Sequence, residues 1–165
     1  MNKILIIGIP GSGKSTFANK LGKELNREII HLDKFYYKSN WVAVQKDEWS
    51  AIVKNLLSRE EWIMDGNYRG TFDSRIPAAD TVVFLNFNKI LCIYRAFTRS
   101  LDKNQPFDKA EGNTNKLSWG LLKKIITFNR EEVIYRLKLY ENTKKIFIVN
   151  NRKELDEVFS QLTTS

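Results

Sequence analysis

The stretch "GIPGSGKST", residues 8–16, constrains the fold of this chain more than any other feature of the sequence. It fits the pattern G-x-x-x-x-G-K-[ST] and lies between an apolar run at residues 4–7 and a stretch with helical spacing. The three glycines of the stretch let successive backbone N–H groups point into one concavity beside a helix N-terminus. The pattern therefore predicts a phosphate-binding loop, or P-loop, early in an α/β domain.

The P-loop pattern gives a role to each residue type in it. Lys14 would reach the β- and γ-phosphates of a nucleotide, and the Ser15 hydroxyl would ligate the Mg²⁺ that bridges them. The predicted phosphate cradle consists of Gly8, Pro10, Gly11, Ser12, Gly13, Lys14, Ser15 and Thr16. The alternatives are an ordinary Gly-rich turn and a degenerate P-loop that no longer turns over nucleotide.

Five short apolar runs have the length and β-branched content of buried strands. They lie at residues 4–7, 28–32, 61–64, 81–85 and 146–149. Helical patterns separate them at residues 14–25, 46–59, after a capping residue Asn88, at 116–126 and 130–140, and from Asn151 onward. This alternation predicts a three-layer α/β fold with a parallel sheet covered on both faces.

The helix after Asn88 has apolar residues at steps of four, three and four, namely Ile90, Tyr94, Phe97 and Leu101. The segment that follows it, "DKNQPFDKAEGNTN" at residues 102–115, is polar and without periodicity, which predicts a loop long enough to be a lid. The 165 residues are enough for one domain, and no linker is visible.

The number of cysteines and the N-terminal sequence indicate in which cellular compartment the protein is expected. The single cysteine, Cys92, excludes a disulfide framework and lies among apolar neighbours, so we expect a buried residue rather than a nucleophile. Only four consecutive apolar residues precede Gly8, which is too few for a signal peptide or a membrane span. We therefore expect a cytoplasmic protein.

The net charge of +8 is unevenly distributed. Residues 86–153 hold 15 Lys or Arg against 6 Asp or Glu, whereas the rest of the chain holds 12 against 13. A basic region of this kind is typical of a nucleic-acid surface or of a site in which arginines hold an anionic small substrate. Charge alone does not separate the two interpretations.

A second informative stretch, "EEWIMDGNYRGTFDSR" at residues 60–75, places Asp65 at the end of an apolar run. A carboxylate at the carboxyl end of a strand beside the P-loop strand can hold Mg²⁺ or its waters. Arg69 follows closely, and its guanidinium suits a phosphate. The alternatives are an ordinary Asp-Gly turn for Asp65 and a solvated turn residue for Arg69.

Several segments together resemble a family. "GIPGSGKST", "HLDKFYYKSNW" and "WIMDGNYRGTFDSRIPAADTVVFLN", with the pair Arg95 and Arg99, are similar to the FlaR-type DNA topology modulation proteins, a branch of the adenylate-kinase-like P-loop group. The resemblance covers roughly residues 3–151. It implies a five-stranded parallel sheet, ATP as phosphoryl donor and Mg²⁺ as counter-ion.

The resemblance also implies residue roles. Asp65 and Arg69 look like the adenylate kinase segment that contacts metal and acceptor phosphate. Arg95 and Arg99 look like the arginines that enter the lid, one over the adenine and one at the phosphates. Arg130 and Arg136 resemble the later catalytic arginines.

The spacing of the arginines supports some of the roles that the resemblance implies. Arg95 and Arg99 lie four residues apart, so both project from one helix face, where two positive charges repel unless an anion lies between them. A solvated basic face is the alternative. Arg136 has a different alternative, because it could pair with Glu132 one turn earlier.

The chain departs from adenylate kinases on the acceptor side. No arginine lies between Asp33 and Gln45, which puts a nucleoside monophosphate acceptor in doubt. Asp33 could instead accept the proton of a hydroxyl nucleophile, or it could be a structural capping residue. The neighbouring aromatics could stack on a substrate, although core packing is the favoured interpretation for Phe35 and Trp41. His31, the only histidine, is expected to be structural.

These observations predict an ATP- and Mg²⁺-dependent phosphotransferase acting on a small acceptor. The predicted catalytic residues are Lys14, Asp33, Arg69, Arg95, Arg99 and Arg136. Arg95 is also predicted to contact the nucleotide. The predicted metal ligands are Ser15 and Asp65. Three rivals stay open: a DNA-binding topology modulator, a nucleotide sensor, and a GTPase, whose guanine-reading aspartate is missing at "NKIL", residues 88–91. The acceptor and the oligomeric state are left open.

Overall fold

The computed structural model describes residues 2–101, 108–109, 113 and 117–164. Its five strands form one parallel sheet in the order β2-β3-β1-β4-β5. The strands are β1 Lys3–Gly8, β2 Ile29–His31, β3 Trp62–Asp65, β4 Thr81–Leu85 and β5 Lys145–Val149. The five predicted strands are thus confirmed, each to within about two residues at its ends.

The helices that cover the sheet are α1 Lys14–Leu25, α2 Leu32–Tyr36, α3 Lys46–Leu57, α4 Phe72–Ala78, α5 Lys89–Ser100, α6 Trp119–Ile126, α7 Arg130–Lys138 and α8 Arg152–Thr163. Side chains cap four of them. Asn88, Ser118, Asn129 and Asn151 each accept a hydrogen bond from a backbone N–H in the first turn of the following helix. The predicted caps Asn88 and Asn151 are therefore confirmed.

The central strands are apolar throughout because both faces of the sheet are covered. Every residue of β3 and β4 is buried, as are residues 4–8 of β1. Strand β1 pairs with β3 on one side and with β4 on the other. The P-loop strand therefore lies in the middle of the sheet, and the segments that follow its two neighbours meet at its carboxyl end.

Some elements differ from the sequence prediction. Helix α3 ends at Leu57 rather than at residue 59, and the short helices α2 and α4 were not predicted. Helix α2 has only five residues and follows β2 directly, so it leaves no helical periodicity to detect. The predicted lid, residues 102–115, falls mostly outside the described residues.

Helix α5 is oriented differently from what its apolar spacing suggests. Cys92 and Ala96 are the buried residues of α5, whereas Ile90, Tyr94, Phe97 and Leu101 are exposed. The small buried side chains let α5 approach the P-loop closely. Within the part of the chain that the structure describes, no helix has the length and apolar character needed to cross a membrane.

Candidate active site

The P-loop connects β1 to α1 and packs directly against α5. Gly11 has a φ of +81°, and a Cβ on it would lie 2.3 Å from the backbone oxygen of Cys92. Gly13 has a φ of +94° where α1 begins, a conformation that side chains disfavour. These two positions therefore require glycine, one because of the close approach of α5 and one because of its backbone conformation.

Lys14 extends back over this loop. Its Nζ donates a hydrogen bond to the backbone oxygen of Ile9 at 3.2 Å. Burial lowers the pKa of Lys14, and the carboxylates of Asp65 and Asp33 oppose that shift. The lysine charge thus lies near two acidic side chains that come from the ends of two other strands.

Strand register places Asp65 beside His31. The two residues are partners in the pairing of β2 with β3, and His31 Nδ1 lies 2.7 Å from Asp65 Oδ1. On the other side of the ring, His31 Nε2 lies 3.2 Å from Asn19 Oδ1 on α1. His31 therefore fixes the orientation of the Asp65 carboxylate, which agrees with the expectation of a structural histidine.

The residues present fit a Mg²⁺ ion that arrives with a nucleotide. No group of three or more His, Cys, Asp or Glu side chains suited to a metal occurs among the described residues. Mg²⁺ commonly uses one or two protein oxygens together with phosphate oxygens and water. Ser15 and the buried carboxylate of Asp65 are ligands of that kind, and the hydrogen bond between His31 and Asp65 is typical of a metal-binding carboxylate that is held in one orientation.

Asp33 lies on α2, on the side of the site opposite the cleft lined by α5. Its Oδ1 accepts a hydrogen bond from the Tyr68 hydroxyl at 2.6 Å. Burial raises the pKa of Asp33, and the bond from Tyr68 works in the opposite direction. Asp33 accepts this long-range bond rather than capping α2, for which the structure shows no side-chain cap.

The loop after β3 is held by an arginine that sequence reasoning missed. Arg75 is fully buried and donates hydrogen bonds to the backbone oxygens of Gly66 at 2.9 Å, Asn67 at 2.5 Å and Tyr68 at 3.1 Å, and to Thr71 Oγ1 at 2.8 Å. Burial lowers the pKa of Arg75 to about 9, which leaves it protonated at neutral pH. Its fork of donors fixes the loop that carries Asp65 and Tyr68.

The same loop contacts the P-loop and holds Tyr68 in an unusual conformation. The backbone N–H of Gly8 donates to Asn67 Oδ1 at 3.0 Å. Tyr68 has a φ of +27°, and its ring packs against Tyr36 and Trp49 with centroid distances of 4.6 and 4.9 Å. Non-glycine residues with positive φ concentrate at functional sites. In the sequence, only the Asp-Gly pair of "DGNYR" indicates a turn here, and nothing indicates the positive φ of Tyr68.

A cleft of about 570 Å³ lies between the P-loop, α5 and α8. Arg95 and Arg99 both line it, beside Gly11, Ser12, Gly13 and Thr16 of the P-loop. Arg95 Nη1 donates to the backbone oxygen of Ser12 at 3.0 Å, and the Arg99 charge helps to lower the pKa of Lys14. The two arginines therefore flank the predicted phosphate site on one side.

Arg69 and Arg136 contact each other's partner, Glu132, rather than the cleft. Both form ion pairs with Glu132 of α7, and Arg136 Nη1 also contacts Asp73 Oδ1 at 2.8 Å. Neither residue is among those described as lining the cleft. Their catalytic roles stay predictions, and the alternative pairing of Arg136 with Glu132 is present in this conformation.

The expectation that Phe35 and Trp41 are core residues is wrong. Phe35 is 36% exposed and Trp41 is 41% exposed, because both lie on short segments outside the helices that pack on the sheet. Lys109 Nζ lies 4.9 Å from the centre of the Trp41 ring, and Asn113 Oδ1 accepts from the Trp41 backbone N–H at 2.9 Å. Residues of the predicted lid segment thus contact the aromatic segment beside Asp33.

Cys92 is confirmed as a buried residue. Burial raises its pKa, so the thiol stays protonated. Arg130 donates from Nη2 to the backbone oxygen of Phe87 at 2.7 Å, and its charge acts on Cys92. Arg130 therefore lies behind the P-loop, next to the start of α5.

Comparison with known proteins identifies the fold. No protein-family model matches the sequence, and no curated protein sequence matches it. Solved structures that resemble the chain include a gluconokinase from Sinorhizobium meliloti 1021, with 16% identity, a TM-score of 0.54 and coverage of 99% of this chain and 90% of that one.

Two further solved structures show the same likeness. A shikimate kinase from Bacteroides thetaiotaomicron has 19% identity and a TM-score of 0.53, covering 99% of this chain and 96% of its own. An uncharacterized protein from Eubacterium ventriosum has 15% identity and a TM-score of 0.54, covering 99% and 97%. At these identities the likeness establishes the fold: the chain has the five-stranded parallel sheet, flanked by helices, of P-loop kinases.

Proposed function

We propose that this protein is an ATP- and Mg²⁺-dependent phosphotransferase that transfers the γ-phosphoryl group of ATP to a hydroxyl of a small acceptor. The observation that carries the proposal is that Lys14 interacts electrostatically with two carboxylates in different surroundings. Asp65 is oriented by His31 at the end of the strand next to the P-loop strand, and Asp33, after the following strand of the sheet, accepts a hydrogen bond from Tyr68. One suits a metal bound with phosphates, and the other suits a proton acceptor.

The chemistry follows from these positions. The acceptor oxygen attacks the γ-phosphorus, its proton passes to a carboxylate oxygen of Asp33, and the bond from the γ-phosphorus to the leaving oxygen of ADP breaks. Lys14, Arg95 and Arg99 stabilise the charge on the phosphoryl group. Bound with the nucleotide, Mg²⁺ would supply further charge neutralisation, held by Ser15 and Asp65.

A hydroxylated metabolite is the acceptor class that we favour. Two of the similar structures are kinases whose names specify gluconate and shikimate, both small hydroxylated acids. The segment from Asp33 to Gln45 has no arginine for a nucleotide phosphate. Instead it carries Trp41, whose ring contacts Lys109, and the charge of Lys109 interacts with Asp33. The finer resemblance to FlaR-type proteins and to adenylate kinases stays a prediction.

A phosphotransfer screen tests this function. Purified protein with ATP and Mg²⁺ is offered hydroxylated acids, sugars, nucleosides and nucleoside monophosphates, and ADP formation is compared with the acceptor-free rate. We expect at least one hydroxylated metabolite to stimulate ADP formation. If no candidate did so while ATP still bound, the nucleotide-sensor alternative would replace the kinase.

Two variants make the screen specific to the site. Lys14→Ala should lower stimulated turnover by a factor on the order of 10² or more, since it removes a positioned charge at the phosphates. Lys23→Ala, which removes an exposed lysine from the same helix, is the matched control and should leave turnover unchanged. Equal turnover in both variants would exclude the P-loop from the reaction.

A further inference from the structure

Helix α5 has apolar residues on two of its sides. Its inner side buries Cys92 and Ala96 against the domain. Its outer side carries Ile90, Tyr94, Phe97 and Leu101, which are 77%, 63%, 50% and 66% exposed. A surface helix normally turns a polar face to the solvent, so an outer stripe of four exposed apolar residues is unusual for one.

The spacing of this outer stripe is that of a helix–helix seam. Steps of four, three and four residues are the spacing of alternating d and a positions in a heptad, which lets one helix pack along another. The positions that flank the stripe are Leu91, Ile93, Thr98 and Ser100, and all of them are uncharged. Two copies of the stripe can therefore meet without like-charge repulsion, although the chain carries +8.

The area of the stripe is sufficient for a specific contact between two copies. An aromatic side chain presents about 150–250 Å² in full, so the exposed fractions of these four residues amount to on the order of 500 Å². With the whole stripe covered, two copies would bury on the order of 1,000 Å² in total, which is about the minimum for a biological interface and fits a weak dimer rather than an obligate one. A contiguous apolar patch of this size typically marks an interaction site.

We propose that the outer face of α5, formed by Ile90, Tyr94, Phe97 and Leu101, is an isologous interface through which two copies of this chain dimerise. In a twofold dimer the same patch serves both subunits, so one self-complementary stripe is enough. Arg95 and Arg99 lie on the opposite side of α5, where they line the cleft at the P-loop. The interface therefore leaves the nucleotide cleft of each subunit open.

Sedimentation equilibrium tests the proposal with a matched pair of variants. Tyr94→Glu places a charge in the seam, whereas Tyr135→Glu places the same charge on a tyrosine of α7 that is 66% exposed and outside the stripe. We expect wild type and Tyr135→Glu to dimerise in the micromolar range. Tyr94→Glu should raise the dimer dissociation constant by at least about 30-fold, as the loss of a central interface residue does.

Two controls keep the outcomes distinct. Far-ultraviolet circular dichroism and the melting temperature show whether each variant is folded, and a second, uncharged variant, Phe97→Ser, removes an apolar side chain from the seam without adding a charge. A monomeric wild type at about 100 µM, which is well above typical working concentrations, would overturn the proposal. So would a dimer weakened equally by both tyrosine variants, or a monomer that binds anionic lipid vesicles through the stripe.

Discussion

The Tyr68 hydroxyl donates a hydrogen bond of 2.6 Å to Asp33 Oδ1, joining two segments 35 residues apart in the sequence. Each segment follows a strand of the sheet, β3 for Tyr68 and β2 for Asp33, and these strands are neighbours. The bond stabilises the charged carboxylate, whereas burial raises the pKa of Asp33. The protonation of the proposed base therefore depends on Tyr68.

Tyr68→Phe should shift the acid limb of the transfer rate to higher pH. Without the hydroxyl, the charged form of Asp33 loses its donor and its pKa rises, so the base is protonated over a wider range. We expect a several-fold loss of rate at pH 7 and partial recovery at higher pH. The measurement is the pH profile of kcat/KM with the best acceptor. A loss of rate with an unchanged profile would show that the Tyr68 hydroxyl does not act through the pKa of Asp33.

Tyr36→Phe is the matched control for that measurement. The Tyr36 ring packs against Tyr68 at 4.6 Å, but its hydroxyl makes no hydrogen bond to Asp33 in the described structure. We expect a profile that coincides with that of the wild type.

Asp33→Asn should stabilise the fold while it abolishes transfer. The folded-state pKa of Asp33 is raised, so the carboxylate favours folding when protonated and loses that contribution as the pH rises through the folded-state pKa. At pH 7.5 a neutral Asn avoids this loss. We expect a higher Tm, by about 2–4 °C for each kcal/mol regained. Thermal unfolding measures the change in Tm, and acceptor-stimulated ADP formation measures the loss of transfer. A lower Tm would contradict the inference that burial of the charged Asp33 destabilises the fold.

The sheet and most helices could be predicted because their signals are local. The strand before the P-loop pattern, the runs at 81–85 and 146–149 and the caps Asn88 and Asn151 all lie where the sequence indicated. The apolar periodicity and the capping residues that define such elements lie within the elements themselves or next to them in the sequence.

The partners of the site residues could not be predicted, because they come from distant parts of the chain. Arg75 lies in a short helix that the sequence does not predict, and only the folded structure shows that its side chain donates to three backbone oxygens. The ion pair of Arg69 with Glu132 and the hydrogen bond between His31 and Asp65 depend on chain topology and strand register. The outer stripe of α5 could not be predicted to be exposed for a similar reason, because spacing identifies an apolar face but not which part of the protein covers it.

Arg75→Lys should destabilise the protein by about 3–5 kcal/mol, because it removes most donors from a buried network and leaves carbonyl groups unpaired. A lysine has one ammonium group and cannot reproduce the fork that spans the loop from Gly66 to Tyr68. The measurement is urea unfolding at equilibrium. Arg152→Lys, on the exposed pair with Asp156, is the control and should change the free energy of unfolding by less than about 1 kcal/mol.

Arg99 distinguishes a kinase from a DNA-binding protein. It lines the cleft with the P-loop, and its charge acts on Lys14. In a kinase, Arg99→Ala should lower the transfer rate by a factor on the order of 10² or more, because a positioned cation at the phosphoryl group is lost. In a protein that binds DNA through residues 86–153, the same variant should reduce affinity modestly and lower the slope of log K against log salt by about one.

Lys124→Ala supplies the control that makes this comparison decisive. Lys124 is an exposed residue of α6 within the basic region and outside the cleft. We expect only Arg99→Ala to slow transfer, with both variants folded and neither changing the salt dependence of DNA binding. If both variants lowered the salt slope by about one and both transferred phosphate normally, the basic region would be a nucleic-acid surface. The position of Arg99 beside the P-loop lysine favours the first result, because a contact to a DNA backbone has no reason to lie at the wall of a nucleotide cleft.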